Sequence, residues 1–412
     1  MKIAVVNKYL YPKGGAEVAA LRMARLLRER GHKAVLMGMA PPDGTESEFP
    51  AYLVSPVDYD APMGPCRQLA LAGRLLYSLE ARRRMHELIR RERPDIVHFH
   101  NVYHQLSPSV IDAAAAHQIP MVMTLHDYKV TCPVYSHLRH GQVCEACREG
   151  RFYNAARFRC AKGSLSNSVL NMAEMYLHRT ILKTYEKVHV FISPSLFLKR
   201  KVTELGFRGR IVHVSNFVDA RAFRPRYDWD GRQIAYFGRL SPEKGLGTLL
   251  DAVKGLDLRL RIIGTGPMKE ELKQKADAEG IANVQFDGFL AEEELHRAVG
   301  AVMFTVLASE CYENNPGSVI ESFALGKPVI GSDMGGIPEL VADGRGLCFR
   351  AGDTAQLRSR IQELAADPEA VRAMGRNARR YAETRLDQRE FYSRLIGVYK
   401  ECMDRAGRGW FA

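Results

Sequence analysis

Short apolar runs without polar alternation recur along this chain, and several lead into a glycine-bearing loop and then a helical pattern. Residues 2–7, 34–39, 95–99, 121–125 and 188–192 are runs of this kind in the first half. Such strands are buried on both faces, which a parallel sheet covered by helices provides. The first is followed by Gly14-Gly15 and a helix expected to run to about Arg30, where Gly31 stops it. The expected fold class is therefore α/β with doubly wound sheets. A chain of 412 residues exceeds one ordinary core, so about two domains of roughly 150 to 200 residues are expected.

The second half places chemistry in the glycine loops. Ile234-Ala-Tyr-Phe-Gly-Arg239-Leu-Ser-Pro-Glu-Lys244-Gly reads as a strand, a turn and a helix entry carrying two cations. Leu260-Arg-Ile-Ile-Gly264-Thr-Gly266-Pro267 and Phe286-Asp-Gly288-Phe289-Leu290 repeat the strand-to-glycine pattern. In open α/β sheets, ligands bind at the carboxyl ends of the strands, where these loops lie. The densest stretch is Glu310-Cys-Tyr-Glu313-Asn-Asn315-Pro316-Gly317-Ser318-Val-Ile-Glu321. Asn315 suits an N-cap and Pro316 the first helical position, and Gly326 ends the apolar pattern. The free N–H groups of that first turn, near Asn315 to Ser318, make an anion site. Glu313 before the helix and Glu321 in its second turn can then face one ligand, an arrangement suited to a phosphorylated sugar. Glutamates near a helix start also simply favour the macrodipole, so the pair alone does not decide the matter.

Taken together, the Glu-x7-Glu pair, the "GRLSPEKG" loop with its Arg and Lys, and the Gly-x-Gly-Pro turn resemble the family 4 retaining glycosyltransferases (glycosyl transferases group 1). The resemblance covers nearly the whole chain and implies the GT-B fold, two Rossmann-like domains facing across a cleft. It implies a boundary near residue 217, where Asn216-Phe-Val-Asp219 opens a nucleotide-sugar-binding domain over 218–386. Residues 387–412 are then expected to form a helix crossing back to the first domain. The implied reaction transfers a hexosyl unit from a nucleotide-diphosphate sugar (UDP or GDP) to a glycan or lipid-diphosphate-linked acceptor, in surface polysaccharide assembly. Arg239 and Lys244 would stabilise the departing diphosphate without a metal, and no cofactor is required for catalysis. Glu313 would contact the donor sugar, Glu321 the ribose, and Gly266 with Phe289 and Leu290 the base end. Gly15 would face the diphosphate and His126 the transferring sugar, while His100, Asn101 and Asp127 would stand on the acceptor side.

One departure from a generic member is a cysteine-rich insertion at about 130–165. Cys132, Cys144, Cys147 and Cys160 follow the order Cys-x11-Cys-x2-Cys-x12-Cys, a pattern able to hold structural zinc. A subgroup with "HDYKVTCP" followed by spaced cysteines is similar here. Four ordinary thiols in an ordered loop remain the alternative.

Net charge is +12, and residues 1–215 carry 31 Lys+Arg against 18 Asp+Glu while residues 216–412 carry 28 against 29. The excess thus belongs to the first half. Its densest part, residues 74–93, is expected to form one amphipathic helix with Leu75, Leu76, Leu79, Met85, Leu88 and Ile89 inward. Outward arginines would suit an anionic membrane surface, and a solvated face is the plain alternative. No motif of the known nucleic-acid modules is present, so nucleic acid is not expected as a partner. Without a signal-peptide pattern or a run of about 18 apolar residues, a cytoplasmic protein is expected, with peripheral contact to the inner membrane face. Rival readings are an epimerase or phosphorylase of the same fold, or a basic membrane- or nucleic-acid-binding protein without activity.

Overall fold

The apolar runs become interior strands of two parallel sheets. The computed structural model describes residues 1–41, 51–59 and 64–407; residues 408–412, at the end of the stretch expected to form the last helix, lie outside the described residues. The strands of the first part are β1 (Lys2–Tyr9), β2 (Lys33–Met39), β3 (Ala51–Val54), β4 (Ile96–Phe99), β5 (Met121–Thr124), β6 (Leu138–Arg139), β7 (Gln142–Val143), β8 (Val190–Ser193) and β9 (Ile211–His213). Those of the second are β10 (Gln233–Phe237), β11 (Arg259–Ile263), β12 (Val284–Gly288), β13 (Thr305–Leu307), β14 (Val329–Ser332) and β15 (Gly346–Phe349).

One sheet has the order β3-β2-β1-β4-β5-β8-β9 and the other β12-β11-β10-β13-β14-β15, each parallel throughout; β6 and β7 form a separate antiparallel hairpin. Each large sheet starts in its middle, winds to one side and then crosses to the other. The order therefore reverses between β1 and β4, and again between β10 and β13. At such a switch point adjacent loops diverge and leave a crevice at the carboxyl ends of the strands.

The chain divides into two compact units. Met1–His137, Glu145–Val214 and the chain from Tyr392 onward make one, and Leu138–Cys144 with Ser215–Phe391 makes the other. The hairpin inside the cysteine-rich stretch thus groups with the second unit.

Two helical expectations change in detail. Residues 74–93 are not one helix but the end of Pro65–Leu76 and a second helix, Leu79–Glu92. The break falls at Tyr77–Ser78 because Ser78 acts as an N-cap, its side chain accepting from the Ala81 amide at 3.1 Å. Met85, Leu88 and Ile89 are inward as expected, but Leu79, at the new helix start, is 71% exposed. The last helix runs Gln388–Ala406. Its Leu395, Tyr399 and Cys402 are fully buried, with the Tyr399 hydroxyl 2.7 Å from Nδ1 of His98 on β4.

Candidate active site

In the second unit the switch point lies between the loops that follow β10 and β13. These loops approach so closely that only glycine fits. Gly245 has φ +62°, and a Cβ there would lie 2.0 Å from the Ala308 carbonyl oxygen. Gly335, with φ +66° on the loop after β14, would likewise meet the Glu313 carbonyl oxygen at 2.0 Å. The loops are also stitched by hydrogen bonds, Glu310 N–H to the Glu243 carbonyl at 2.8 Å and Thr248 Oγ1 to Glu310 Oε1 at 2.7 Å. This seam brings two expected residues together, for Lys244 Nζ donates to Glu313 Oε1 at 2.5 Å. Burial opposes the Lys244 charge, but the Glu313 carboxylate and Cys311 outweigh it and hold the ammonium above its ordinary pKa. Cys311 is itself pushed up to about 12 by burial and by Glu313.

Ser309, which nothing in the sequence singled out, completes the setting of Glu313. Its hydroxyl donates to the same Oε1 at 2.6 Å, and its own carbonyl accepts from Ser332 Oγ at 2.6 Å. Both serines are fully buried. The Glu313 carbonyl accepts from Gly336 N–H at 2.8 Å, so backbone and carboxylate are fixed independently. Arg239 is exposed, its carbonyl tied to the Tyr236 hydroxyl at 2.7 Å.

The helix start differs from expectation. Pro316 is the N-cap and Gly317 the first residue of the helix Gly317–Ala324, with no side chain capping it. Asn315 is instead engaged elsewhere: its Oδ1 accepts from the Asn216 amide at 3.0 Å, and its carbonyl accepts from Asn216 Nδ2 at 3.1 Å. A buried asparagine whose side-chain oxygen already accepts from Asn216 has no reason to turn to the helix. Ser318 and Glu321 lie half-buried on the first and second turns and Gly317 is exposed. Gly266 follows β11, where a Cβ would lie 2.2 Å from the Leu240 carbonyl oxygen. Phe289, just past β12, is 78% exposed, and Leu290 is half-buried.

In the first unit, Lys8, His100, Asn101, His126 and Asp127 lie at the carboxyl ends of β1, β4 and β5. Three imidazoles form a stack, His98 on His100 at 4.5 Å and His100 on His126 at 5.1 Å. His98 is held by Tyr399 and by Thr124 Oγ1, the latter at 2.8 Å, and His100 Nδ1 lies 2.8 Å from His126 Nε2. Burial lowers all three, His98 to about 3 and His126 to about 4, so the rings are neutral at pH 7. Asp127 is shifted the other way by burial and accepts from the Tyr103 hydroxyl and from the Lys129 amide. The Asn101 amide donates to Asn7 Oδ1 at 3.1 Å. Behind them Lys129 Nζ is enclosed by Glu174 Oε2 at 2.6 Å and the Pro133 carbonyl at 2.8 Å. Gly15 opens the helix Gly15–Glu29 after an extended Gly14, with space for a Cβ around it.

The model described as Glycosyltransferase Family 4 matches residues 13–222, just over half the chain, and the one described as Glycosyl transferases group 1 matches residues 220–381. The chain belongs to glycosyltransferase family 4. A curated relative along nearly its full length is the N-acetyl-alpha-D-glucosaminyl L-malate synthase of Bacillus anthracis, 24% identical over 419 residues that cover 97% of each chain. Two other relatives are covered over only 48% and 60% of their own length. Among solved structures, the sucrose-phosphate synthase of Thermosynechococcus elongatus superposes with a TM-score of 0.73 at 16% identity, covering 97% of this chain and 98% of that one. HepE of Anabaena, solved with UDP-glucose, gives 0.68 at 19% identity, covering 97% and 100%. These likenesses show the fold, the two-domain GT-B architecture.

For this family 4 chain the four-cysteine subgroup is not confirmed. Among the described residues no group of three or more His, Cys, Asp or Glu side chains is placed to hold a metal ion. Cys132 is buried, and that burial pushes its thiol up to about 11. Cys147 packs in a small apolar cluster with Phe152 and Met175. Among the described residues no helix is long and apolar enough to cross a membrane.

Proposed function

We propose that this protein is a retaining glycosyltransferase that moves a hexosyl unit from a nucleotide-diphosphate sugar, UDP- or GDP-linked, to a glycan or lipid-linked acceptor. The observation that carries this reading is the Lys244–Glu313 pair at the β10/β13 switch point, with the exposed Arg239 on the same loop as Lys244. As the glycosidic bond breaks, negative charge gathers on the leaving diphosphate. Arg239, as a planar fork, and Lys244, as a point charge, meet that charge, with the uncapped start of the helix Gly317–Ala324 as a third source of N–H donors. These groups make an added divalent ion unnecessary. Glu313 then orients the sugar by its hydroxyls, Glu321 takes the ribose, and Gly266, Phe289 and Leu290 receive the base. Gly15 offers backbone to the diphosphate, His126 touches the transferring sugar as a neutral imidazole, and His100, Asn101 and Asp127 serve the acceptor. Substitution on one face of the sugar, with the leaving phosphate accepting the acceptor proton, needs no protein nucleophile. HepE, of the same fold, binds UDP-glucose, which supports the donor class. Assembly of surface polysaccharide at the cytoplasmic face of a membrane is the proposed setting.

The test is a panel of UDP- and GDP-sugars scored by thermal stabilisation and by turnover with and without EDTA. A cognate donor raises the melting temperature in EDTA, and Arg239→Ala or Lys244→Ala lowers turnover by about 10² or more. Folded variants turning over at the wild-type rate would falsify these roles.

A further inference from the structure

The switch point of the first unit holds a cation that the donor chemistry does not use. Lys8 follows the buried part of β1, its amide bonded to the Asn101 carbonyl at 2.8 Å. Its ammonium lies over the Tyr103 ring at 4.2 Å from the centroid, with Tyr9 at 5.8 Å and Tyr135 at 6.0 Å. Among the described residues no hydrogen bond or ion pair reaches this ammonium. The contrast with Lys129 is direct, since that neighbouring ammonium is fully engaged by Glu174 and the Pro133 carbonyl. The nearby carboxylates do not substitute. Asp127 is taken by the Tyr103 hydroxyl and the Lys129 amide, and Glu17 is buried on the helix Gly15–Glu29 beside Gly14. Lys13, a second cation on this loop, lies 4.1 Å from the centroid of the Tyr9 ring. Burial is the largest influence on Lys8 and works against its charge. An ammonium with three donors and no oxygen acceptor gains when a ligand oxygen arrives.

We infer that Lys8, walled by Tyr9, Tyr103 and Tyr135, is a subsite for an acidic sugar, its carboxylate or phosphate on the ammonium and its ring against the phenols. The aromatic rings supply a face for the apolar side of a pyranose, and charge-assisted hydrogen bonds supply the selectivity. Half-exposed Tyr135 provides the open side and buried Tyr103 the floor. Calling this ligand the acceptor rests on the proposed transferase reading; the binding itself does not.

The experiment measures binding of three probes to the whole chain by ligand-observed NMR: methyl glucuronide, its neutral methyl ester, and glucose 1-phosphate. At least one acidic probe is expected to bind tenfold or more tighter than the ester, to weaken with salt, and to persist when a saturating nucleoside diphosphate occupies the other unit. Lys8→Met should remove that preference, and Lys8→Arg should keep part of it. Which acidic probe wins assigns carboxylate or phosphate. The proposal is overturned if no probe binds, if acid and ester bind wild type equally, if the nucleoside diphosphate displaces the acidic probe, or if Lys8→Met leaves the preference in place. Nucleotide-sugar binding in the same samples reports on the transferase reading separately. Should Lys8→Met fail to fold, the acid-to-ester ratio and its salt dependence in wild type decide.

Discussion

At the scale of the residue, one oxygen of Glu313 accepts from both Lys244 and Ser309. On the proposed reading a diphosphate draws Lys244 toward itself, and Ser309 remains to hold the Glu313 carboxylate. A hydrogen bond to a charged group is worth about 1.5–3 kcal/mol, so Ser309→Ala should lower kcat/KM for the donor by about 10- to 100-fold. Affinity for the nucleoside diphosphate alone should stay within about twofold, because the hydroxyl is spent on Glu313, and Ser309→Thr should recover activity. Equal losses in both measurements would mean that the serine holds up the loop rather than aims Glu313. Lys244 and Glu313 are legible in the sequence through the resemblance of their loops to the family's motifs, and the fold pairs the two side chains. Ser309 is not, since a serine near a glutamate is commonplace and its role arises only when two loops meet. Asn315 shows the converse case. Its residue type suits an N-cap, but a long-range partner, Asn216, outcompetes the local one.

At the scale of the element, the arginine-rich segment is less uniform than its composition suggests. Arg84 and Arg91 both pair with Glu87, and Arg74 pairs with Glu80 while donating to the Ser55 carbonyl. Among the described residues, Arg82, Arg83 and Arg90 are the arginines of the helix Leu79–Glu92 without an ion pair, Arg90 donating only to the His86 carbonyl. If that helix meets an anionic membrane, each contributes about 1 kcal/mol, so changing the three to Glu should reduce vesicle partitioning by roughly a hundredfold at low salt. Equal co-sedimentation of variant and wild type with anionic vesicles would leave a solvated face as the answer. The break before this helix was legible in principle, since Ser78 is a strong N-cap type. The continuous apolar pattern across Leu75, Leu76 and Leu79 concealed it. Strand positions, by contrast, followed almost directly from the apolar runs, because burial on both faces leaves a run no polar alternation.

At the scale of the whole molecule, buried neutral histidines make stability depend on pH. The folded values of His98 and His126, about 3 and about 4, lie below the roughly 6.5 of an unfolded histidine. As pH falls below about 6.5 the unfolded chain binds protons that the folded chain refuses, so this stability is complete above that pH and declines beneath it. The slope should approach about 1.4 kcal/mol per pH unit for each such histidine, visible in urea unfolding of the protein between pH 7 and 5. A flat urea midpoint over that interval would contradict the buried, neutral stack. Sheet order was the part of the fold least open to the sequence, because it depends on which strands neighbour one another and not on any strand's own residues. The helix Gln388–Ala406 carries a related consequence for how the protein is made. Tyr399 closes the core against His98 of a central strand, and Cys402 reaches the Met121 carbonyl at the foot of another. Residues 392–406 leave the ribosome only after all of 215–391, so the first unit emerges first but waits with its centre open until the second has been synthesised.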